Sequence, residues 1–377
     1  MLCVTTWVKL KGKRLVYLDL STPLELIGRS REFQEIVEVL AKDGDLLIAG
    51  VPGSGRRTLV RAAAKEVNAV VMEIDCIRAT DGERFVQLLA ETISQNFDNQ
   101  PIQNWVTTST SEYFVFENEA SSKLKLLRGL NQKQLWQAFE FLLKLPQRLA
   151  EDDDKRGVLI LYAFPHIRSW DRGGLWEATF RREIKVQTRI SYVLIATIAE
   201  TNNHVEESNY PLEVLELAPL AKDIIAVWAR GILHTQGLTF DPRSKALQLF
   251  LDAVQGHIGD AMALIRRLQG IHRPNDLITE QAVQEAIDGL LKDLSMTFES
   301  LLMLLPPNQV HLLESLACDP TEKPQSREYI QKHVLSRGGS LQGALIGLQH
   351  KGLIYSAEQR YQLALPLLAL WLRQRLV

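Results

Sequence analysis

The run Gly50-Val-Pro-Gly-Ser-Gly55 constrains this chain more than any other feature, because of what stands on either side of it. Before it lies Asp45-Leu-Leu-Ile-Ala, an apolar stretch too short for a helix and suited to a strand buried on both faces. After it, residues 58–67 are alanine-rich and helix-forming. Strand, glycine-rich turn and helix in that order bring backbone N–H groups together at a helix N-terminus, where the dipole favours an anion. The three glycines permit the turn, and phosphate is the ligand such a turn suits.

The surrounding pattern predicts an α/β fold. Apolar runs at 70–74, 157–161, 192–197 and 212–217 alternate with helical periodicity at 31–40, 83–93, 132–149 and 176–186, which implies a parallel sheet with crossover helices. Pro146 is expected to kink or shorten the helix over 132–149. Residues 1–23 read as an extension with short strands within 9–20, and 24–218 as the α/β domain. Within that domain the polar stretch 96–131 reads as an irregular insertion or mobile loop rather than core. From residue 219 to 302 helical periods follow one another and predict an all-helical lid. Residues 303–377 carry three short helices, an extended pair around Glu358-Gln359 and a terminal apolar helix, the make-up of a winged helix.

The phosphate-binding motif G-x-x-x-x-G-K-[ST] requires a lysine for the β and γ phosphates and a hydroxyl for magnesium. Here those two places hold Arg56 and Arg57, and Thr58 comes one position late. Arginine keeps the charge in a bulkier planar fork, and a cation at the hydroxyl's place repels the metal. The strand at 157–161 runs into Tyr162-Ala163-Phe164, where a P-loop ATPase carries its acids for metal and water. His166 and Asp171 are the substitutes within reach in sequence, and ordinary loop roles compete with that reading. Thr197, closing the next strand, is the candidate γ-phosphate sensor. Arg181, Arg182 and Arg189 read either as a basic helix face or as a finger offered to a neighbouring subunit.

With these motifs in place the chain resembles the AAA+ superfamily, in its Orc1/Cdc6-like or archaeal-ATPase branch bordering the STAND ATPases. Leu26-Ile-Gly-Arg-Ser-Arg-Glu32 is similar to the segment that lines the adenine pocket there, Gly50 to Thr58 to Walker A, Val158 to Phe164 to Walker B, and Gly259 to Arg267 to the sensor 2 helix. The resemblance implies ATP or ADP as cofactor, held by Ile27, Gly28, Gly50, Pro52, Gly53, Ser54, Gly55, Arg56, Arg57 and Thr58. It implies a P-loop domain with helical lid and C-terminal winged helix. Met262 stands at the usual sensor 2 arginine, leaving Arg266 to reach back from the next turn. The departures fall on the chemistry, so magnesium is not expected to be held in the usual way, and no catalytic or metal residue is assigned. The reading is a catalytically degenerate regulatory or scaffold module. An active ATPase with displaced groups and a subunit of a ring assembly are the alternatives.

Charge and cysteine usage narrow the partners. The formal net charge of −2 gives the whole chain no electrostatic hold on nucleic acid, so DNA contact falls to a local patch. Arg327, Lys332, Arg337, Arg360, Arg373 and Arg375 supply one in the winged helix, while Gln342, Gln349, His350 and Lys351 on its third helix are thin for base reading. DNA and protein partners both remain open, as do homo- and hetero-oligomers. Cys3, Cys76 and Cys318 form neither a disulfide framework nor a zinc set. Lys9, Lys11, Lys13 and Arg14 interrupt any signal-peptide core, and no apolar run reaches a membrane span. A cytoplasmic protein without membrane or secreted partners is expected.

Overall fold

The computed structural model describes residues 28–108, 113–117, 123–201, 212–357 and 360–376. The expected strands within 9–20 and the adenine-pocket candidate Ile27 lie outside these residues. The α/β part runs α1 (Ser30–Ala41), β1 (Leu46–Gly50), α2 (Arg56–Glu66), β2 (Val70–Asp75), α3 (Gly82–Asn96), α4 (Asn99–Thr108), a hairpin of β3 (Phe114–Glu117) and β4 (Lys123–Leu126), α5 (Gln132–Asp152), β5 (Gly157–Tyr162), α6 (Leu175–Ile184), β6 (Ile190–Ala196) and β7 (Glu213–Leu217). Five strands pair in parallel in the order β2-β5-β6-β1-β7, with Leu46 opposite Val193 on one side and Glu213 on the other.

Alternate residues of each strand serve two cores, which explains why the runs are apolar without a polar face. Ile48, Val158, Ile160, Val193 and Ile195 meet Ile36, Leu40, Leu59 and Val60 of α1 and α2. Leu47, Met72, Leu159, Leu161 and Leu194 meet Phe85, Leu89, Phe139 and Leu142 of α3 and α5. Each such aliphatic side chain contributes roughly 1.5–3 kcal/mol on burial. The order places β1 at the crossover point of the sheet, so the glycine turn after it opens at the strands' carboxyl ends, where ligands of such sheets bind.

Two expectations for this part are corrected. Pro146 does not shorten its helix: α5 runs through it, started by a reciprocal cap between Asn131 and Gln134 and held by the buried face of Leu142, Leu145 and Leu149. Packing offsets the hydrogen bond that proline omits. Nor is 96–131 an irregular stretch outside the core. It supplies α4 and the hairpin, with Ile102, Phe114 and Leu124 fully or nearly buried and Trp105 against Phe141 at 4.1 Å. Its apolar residues come in short groups among polar ones, and those named here turn inward.

The lid comprises α7 (Lys222–Thr235), β8 (Thr239–Phe240), α8 (Ala246–Val254), α9 (Ile258–Ile271), β9 (Leu277–Ile278) and α10 (Glu280–Met303). It is therefore not all helical, since β8 and β9 pair in parallel and tie the two helical pairs together. α10 runs past the boundary read at 302/303 and leads into α11 (Pro307–Cys318), α12 (Arg327–Lys332), α13 (Gly339–His350), the hairpin β10 (Ile354–Ala357) and β11 (Arg360–Leu363), and α14 (Pro366–Leu376). Leu363, Leu367, Leu368 and Leu372 are buried in one core shared with lid residues such as Phe250 and Leu291. None of the described helices is long and apolar enough to cross a membrane.

Candidate nucleotide cleft

The turn after β1 has the backbone its glycines predict. Gly53 and Gly55 sit at φ +79° and +87°, in the left-handed region that other residues adopt only with strain, and α2 begins directly at Arg56. Space is as restrictive as torsion. A Cβ on Gly50 would lie 2.9 Å from the Ser54 hydroxyl, and one on Gly53 would lie 2.6 Å from the His257 ring.

That ring belongs to the lid. His257 precedes α9, is 4% exposed, and joins its Nε2 to the Pro52 carbonyl at 2.5 Å while Nδ1 accepts from the Asp260 N–H at 3.0 Å. The Gly259 N–H donates to the Gly53 carbonyl at 3.2 Å. Burial disfavours the imidazolium, but the Asp260 carboxylate and the Pro52 carbonyl outweigh it and raise the pKa above the ordinary value of 6.5. Gly28 meets the lid as well. At φ +73°, its missing Cβ leaves room for Ile224 and Leu220.

Between the turn, the end of β5 and α9 lies a cleft of about 420 Å³ lined by Gly53, Gly55, Arg56, Arg57, Thr58, Tyr162, Met262 and Arg266. Arg56 turns inward and donates to the carbonyl of Ala196, the last residue of β6. Burial lowers its pKa to about 10, which leaves it charged at neutral pH. Arg57 donates to Glu73 of β2 at 2.8 Å, and its guanidinium lies over the Tyr162 ring, 4.5 Å from the centroid. Arg61, one turn on, donates to both Glu73 oxygens. Burial opposes ionisation of Glu73, yet the bonds from Arg61 and Arg57 hold its pKa below the ordinary value. Arg266 faces the cleft and has no ion-pair partner among the described residues.

The hydroxyls of Ser54 and Thr197 are each buried without a hydrogen-bond partner among the described residues, and the buried Tyr162 hydroxyl lies beside Glu73 and Arg61. All three sit on the turn or at the strand ends beside it. A phosphate chain suits this surrounding of amides, guanidiniums and hydroxyls. Among the described residues no three His, Cys, Asp or Glu side chains gather as a metal set, and the Glu73 carboxylate beside Arg57 is bound by two arginines.

The proposed stand-ins lie elsewhere. Asp171, 7% exposed, accepts from the N–H groups of Leu175 and Glu177 at the start of α6, so both its oxygens serve a helix cap. Arg181 bonds Glu177, Arg182 reaches Glu140 at 3.4 Å, and Arg189 bonds Asp154 at 2.9 Å, all within the chain. His257, Glu73 and Arg61 escape a reading by motif. The signal for His257 is its place just before Gly259-Asp260, where an N-terminal cap is wanted.

The winged helix closes over the same edge of the sheet. Val51 and Ile198 pack with Tyr355 and Ala364, and a Cβ on Gly352 would lie 3.0 Å from Thr197 and 3.5 Å from Pro52. Glu200, 2% exposed, accepts from Arg168 at 2.7 Å and pairs with His350 of α13 at 3.0 Å. Asp260 accepts from the Leu367 N–H at the start of α14.

A family model described as "probable winged helix domain" matches residues 296–374. A search of curated proteins finds no match. Among solved structures, the chain is similar to a Walker-type ATPase of Pyrococcus abyssi, with a TM-score of 0.65 and 18% identity over 92% of this chain and 96% of that one. The Aeropyrum pernix Orc1 protein in complex with DNA matches at a TM-score of 0.48 with 17% identity, covering 95% and 97% of the two chains. The Aeropyrum pernix Orc2 protein in its ADPNP–ADP complexes matches at 0.47 with 15% identity, over 95% and 97%. Together with the parallel sheet, the glycine turn and the lid described above, the match to the Walker-type ATPase gives the chain the P-loop fold of that protein, and the family model gives it a winged-helix domain over residues 296–374.

Proposed function

We propose that this protein is a P-loop module that no longer carries out metal-assisted ATP hydrolysis and acts in the cytoplasm as a regulatory or scaffold component, engaging DNA or a protein through its winged helix. One observation carries the reading. Tyr162 and Ala163 stand where the acids of the reaction belong, and the nearby carboxylate, Glu73, is neutralised by Arg61 and Arg57. Phosphoryl transfer needs a divalent ion to gather the β and γ oxygens and a base or positioned water, and neither role has a group to fill it here.

Nucleotide binding is compatible with the same geometry. The phosphate cradle would come from Gly50, Pro52, Gly53, Ser54, Gly55, Arg56, Arg57 and Thr58, with Gly28 near the base. ATP or ADP is the expected ligand, weakly held.

For the winged helix, base reading by its third helix has little support, while the exposed Arg327 and Arg337 leave phosphate contact available beside a protein partner. The exposed positions of α13 include Ser340, Gln342, Gly343 and Ile346, none of them cationic. His350 pairs with Glu200, Lys351 bonds Gln309, and Arg360 and Arg373 bond carbonyls of their own domain. Non-specific DNA affinity depends on cations released to phosphates.

Phosphate release from magnesium-ATP by the full chain tests the central statement. The expected rate is that of buffer, and turnover that vanishes on Gly55→Ala would refute it. A mobility shift with duplex DNA, abolished by Arg327→Glu with Lys332→Glu, would make DNA the partner.

A further inference from the structure

We infer that Arg57 is the resident cation of the cleft, so that the protein takes the phosphate chain of a nucleoside di- or triphosphate in its metal-free form. This rests on the reading of the cleft as a nucleotide site. It goes beyond loss of hydrolysis, because a degraded site and a site rebuilt around a fixed guanidinium make opposite predictions about magnesium.

Arg57 occupies the position from which the motif's hydroxyl would reach the metal, and it is held there from two sides. Its guanidinium rests on the Tyr162 ring, where a metal-binding aspartate would stand, and one N–H group reaches Glu73. Arg61 already covers both oxygens of Glu73. Glu73 therefore stays neutralised when Arg57 turns a donor toward a phosphate, and the trio keeps one positive charge at the metal's place. Arg56, anchored on the Ala196 carbonyl, and Arg266, which lines the cleft from α9 with no ion-pair partner among the described residues, put two more guanidiniums around the same cleft. A planar fork gives a phosphate two parallel hydrogen bonds, which an ammonium does not.

Magnesium works against this arrangement. It meets no ligand set and faces fixed cations, and it also removes two negative charges from the nucleotide. One unit charge at 4 Å shifts an equilibrium about fivefold even in water, so metal-free ATP should bind roughly tenfold or more tightly than magnesium-ATP.

Calorimetric titration of the full chain with ATP in EDTA and in excess magnesium reads this directly, with melting temperature recorded for each variant. Preference for the EDTA condition is the expected result, lost in Arg57→Ser. Glu73→Gln, which frees both arginines, should tighten ATP binding in EDTA about fivefold, whereas a purely structural ion network would only lower the melting temperature. Equal or tighter binding of magnesium-ATP, a preference that survives Arg57→Ser, or no gain in Glu73→Gln overturns the inference. No heat in either buffer overturns it too, and leaves the non-hydrolysing reading standing. Turnover of magnesium-ATP removes that reading itself.

Discussion

Replacing Gly53 by alanine measures how far the phosphate turn is held by the lid. At φ +79° an L-residue costs about 1–2 kcal/mol in backbone strain. The new Cβ would also lie 2.6 Å from two atoms of the buried His257 ring, which must move and give up its bond to the Pro52 carbonyl. A net hydrogen bond is worth about 1 kcal/mol, so the whole loss is about 2–3 kcal/mol. Gly129→Ala is the control, because Gly129 has the same φ of +79° and nothing within 4 Å of its would-be Cβ. It carries the backbone strain alone. Urea unfolding of ligand-free protein, followed by tryptophan fluorescence, should place Gly53→Ala about 1 kcal/mol below Gly129→Ala. Equal midpoints for the two variants would show that the His257 contact contributes nothing to the turn.

Asp45, at the foot of β1, has its carboxyl pushed up to about 7 by burial, against the Tyr192 N–H bond that favours the charged form. A raised folded value means stability is full below 3.8 and lost as pH rises through about 7, by roughly 4 kcal/mol at 1.36 kcal/mol per tenfold change in proton affinity. Asp45→Asn, which can still accept from Tyr192, should flatten that fall in pH-dependent unfolding curves, and an unchanged slope would exclude Asp45 as its source. His257 acts in the same direction. Its raised value gives stability that is complete below 6.5 and lost above the folded pKa, and His257→Asn should remove that share of the alkaline loss in the same curves. Glu200→Ala removes the acceptor that binds Arg168 and His350, costing about 1–3 kcal/mol, and should raise the radius of gyration in X-ray scattering as the winged helix leaves the sheet edge. An unchanged radius would mean the apolar contact at Tyr355 and Ala364 suffices.

The fold was legible where one physical cause dominated. Strands buried on both faces leave continuous apolar runs, so β1, β5 and β6 were readable to within a residue or two, and the left-handed φ of Gly53 and Gly55 follows from three glycines in six positions. It was not legible where sparse residues act through tertiary contact. Ile102, Trp105 and Val106 make only one helical turn and Phe114, Phe116, Leu124 and Leu126 only two short alternations, and the inward packing that makes α4 and the hairpin part of the core appears only with α3 and α5 in place. In the cleft, the identity of the replaced residues was plain, but not their new partners. Nothing local links Arg57 on α2 to Glu73, sixteen residues away on β2, or Glu200 to His350 across two domains.

Those partners change what the substitutions mean. A site merely released from use would leave its replacement residues solvated and unpaired, since an orphaned guanidinium gains nothing by ordering. Arg56 instead turns toward the sheet and reaches the Ala196 carbonyl, while Arg57, though its side chain is 56% exposed, lies between Glu73 and the Tyr162 ring. Around them Gly53 keeps its left-handed backbone, His257 its bond to Pro52, and Gly352 its place against Thr197. The lid and winged helix thus meet the turn at the points from which a bound phosphate chain would be felt. An anion that drew Arg57 from Glu73 would act on the same short loop that His257 and Gly352 press from the other side. His257 and Gly352 thus bring the lid and the winged helix against Pro52 itself, so a coupling of anion binding to domain contact would have to run through that residue.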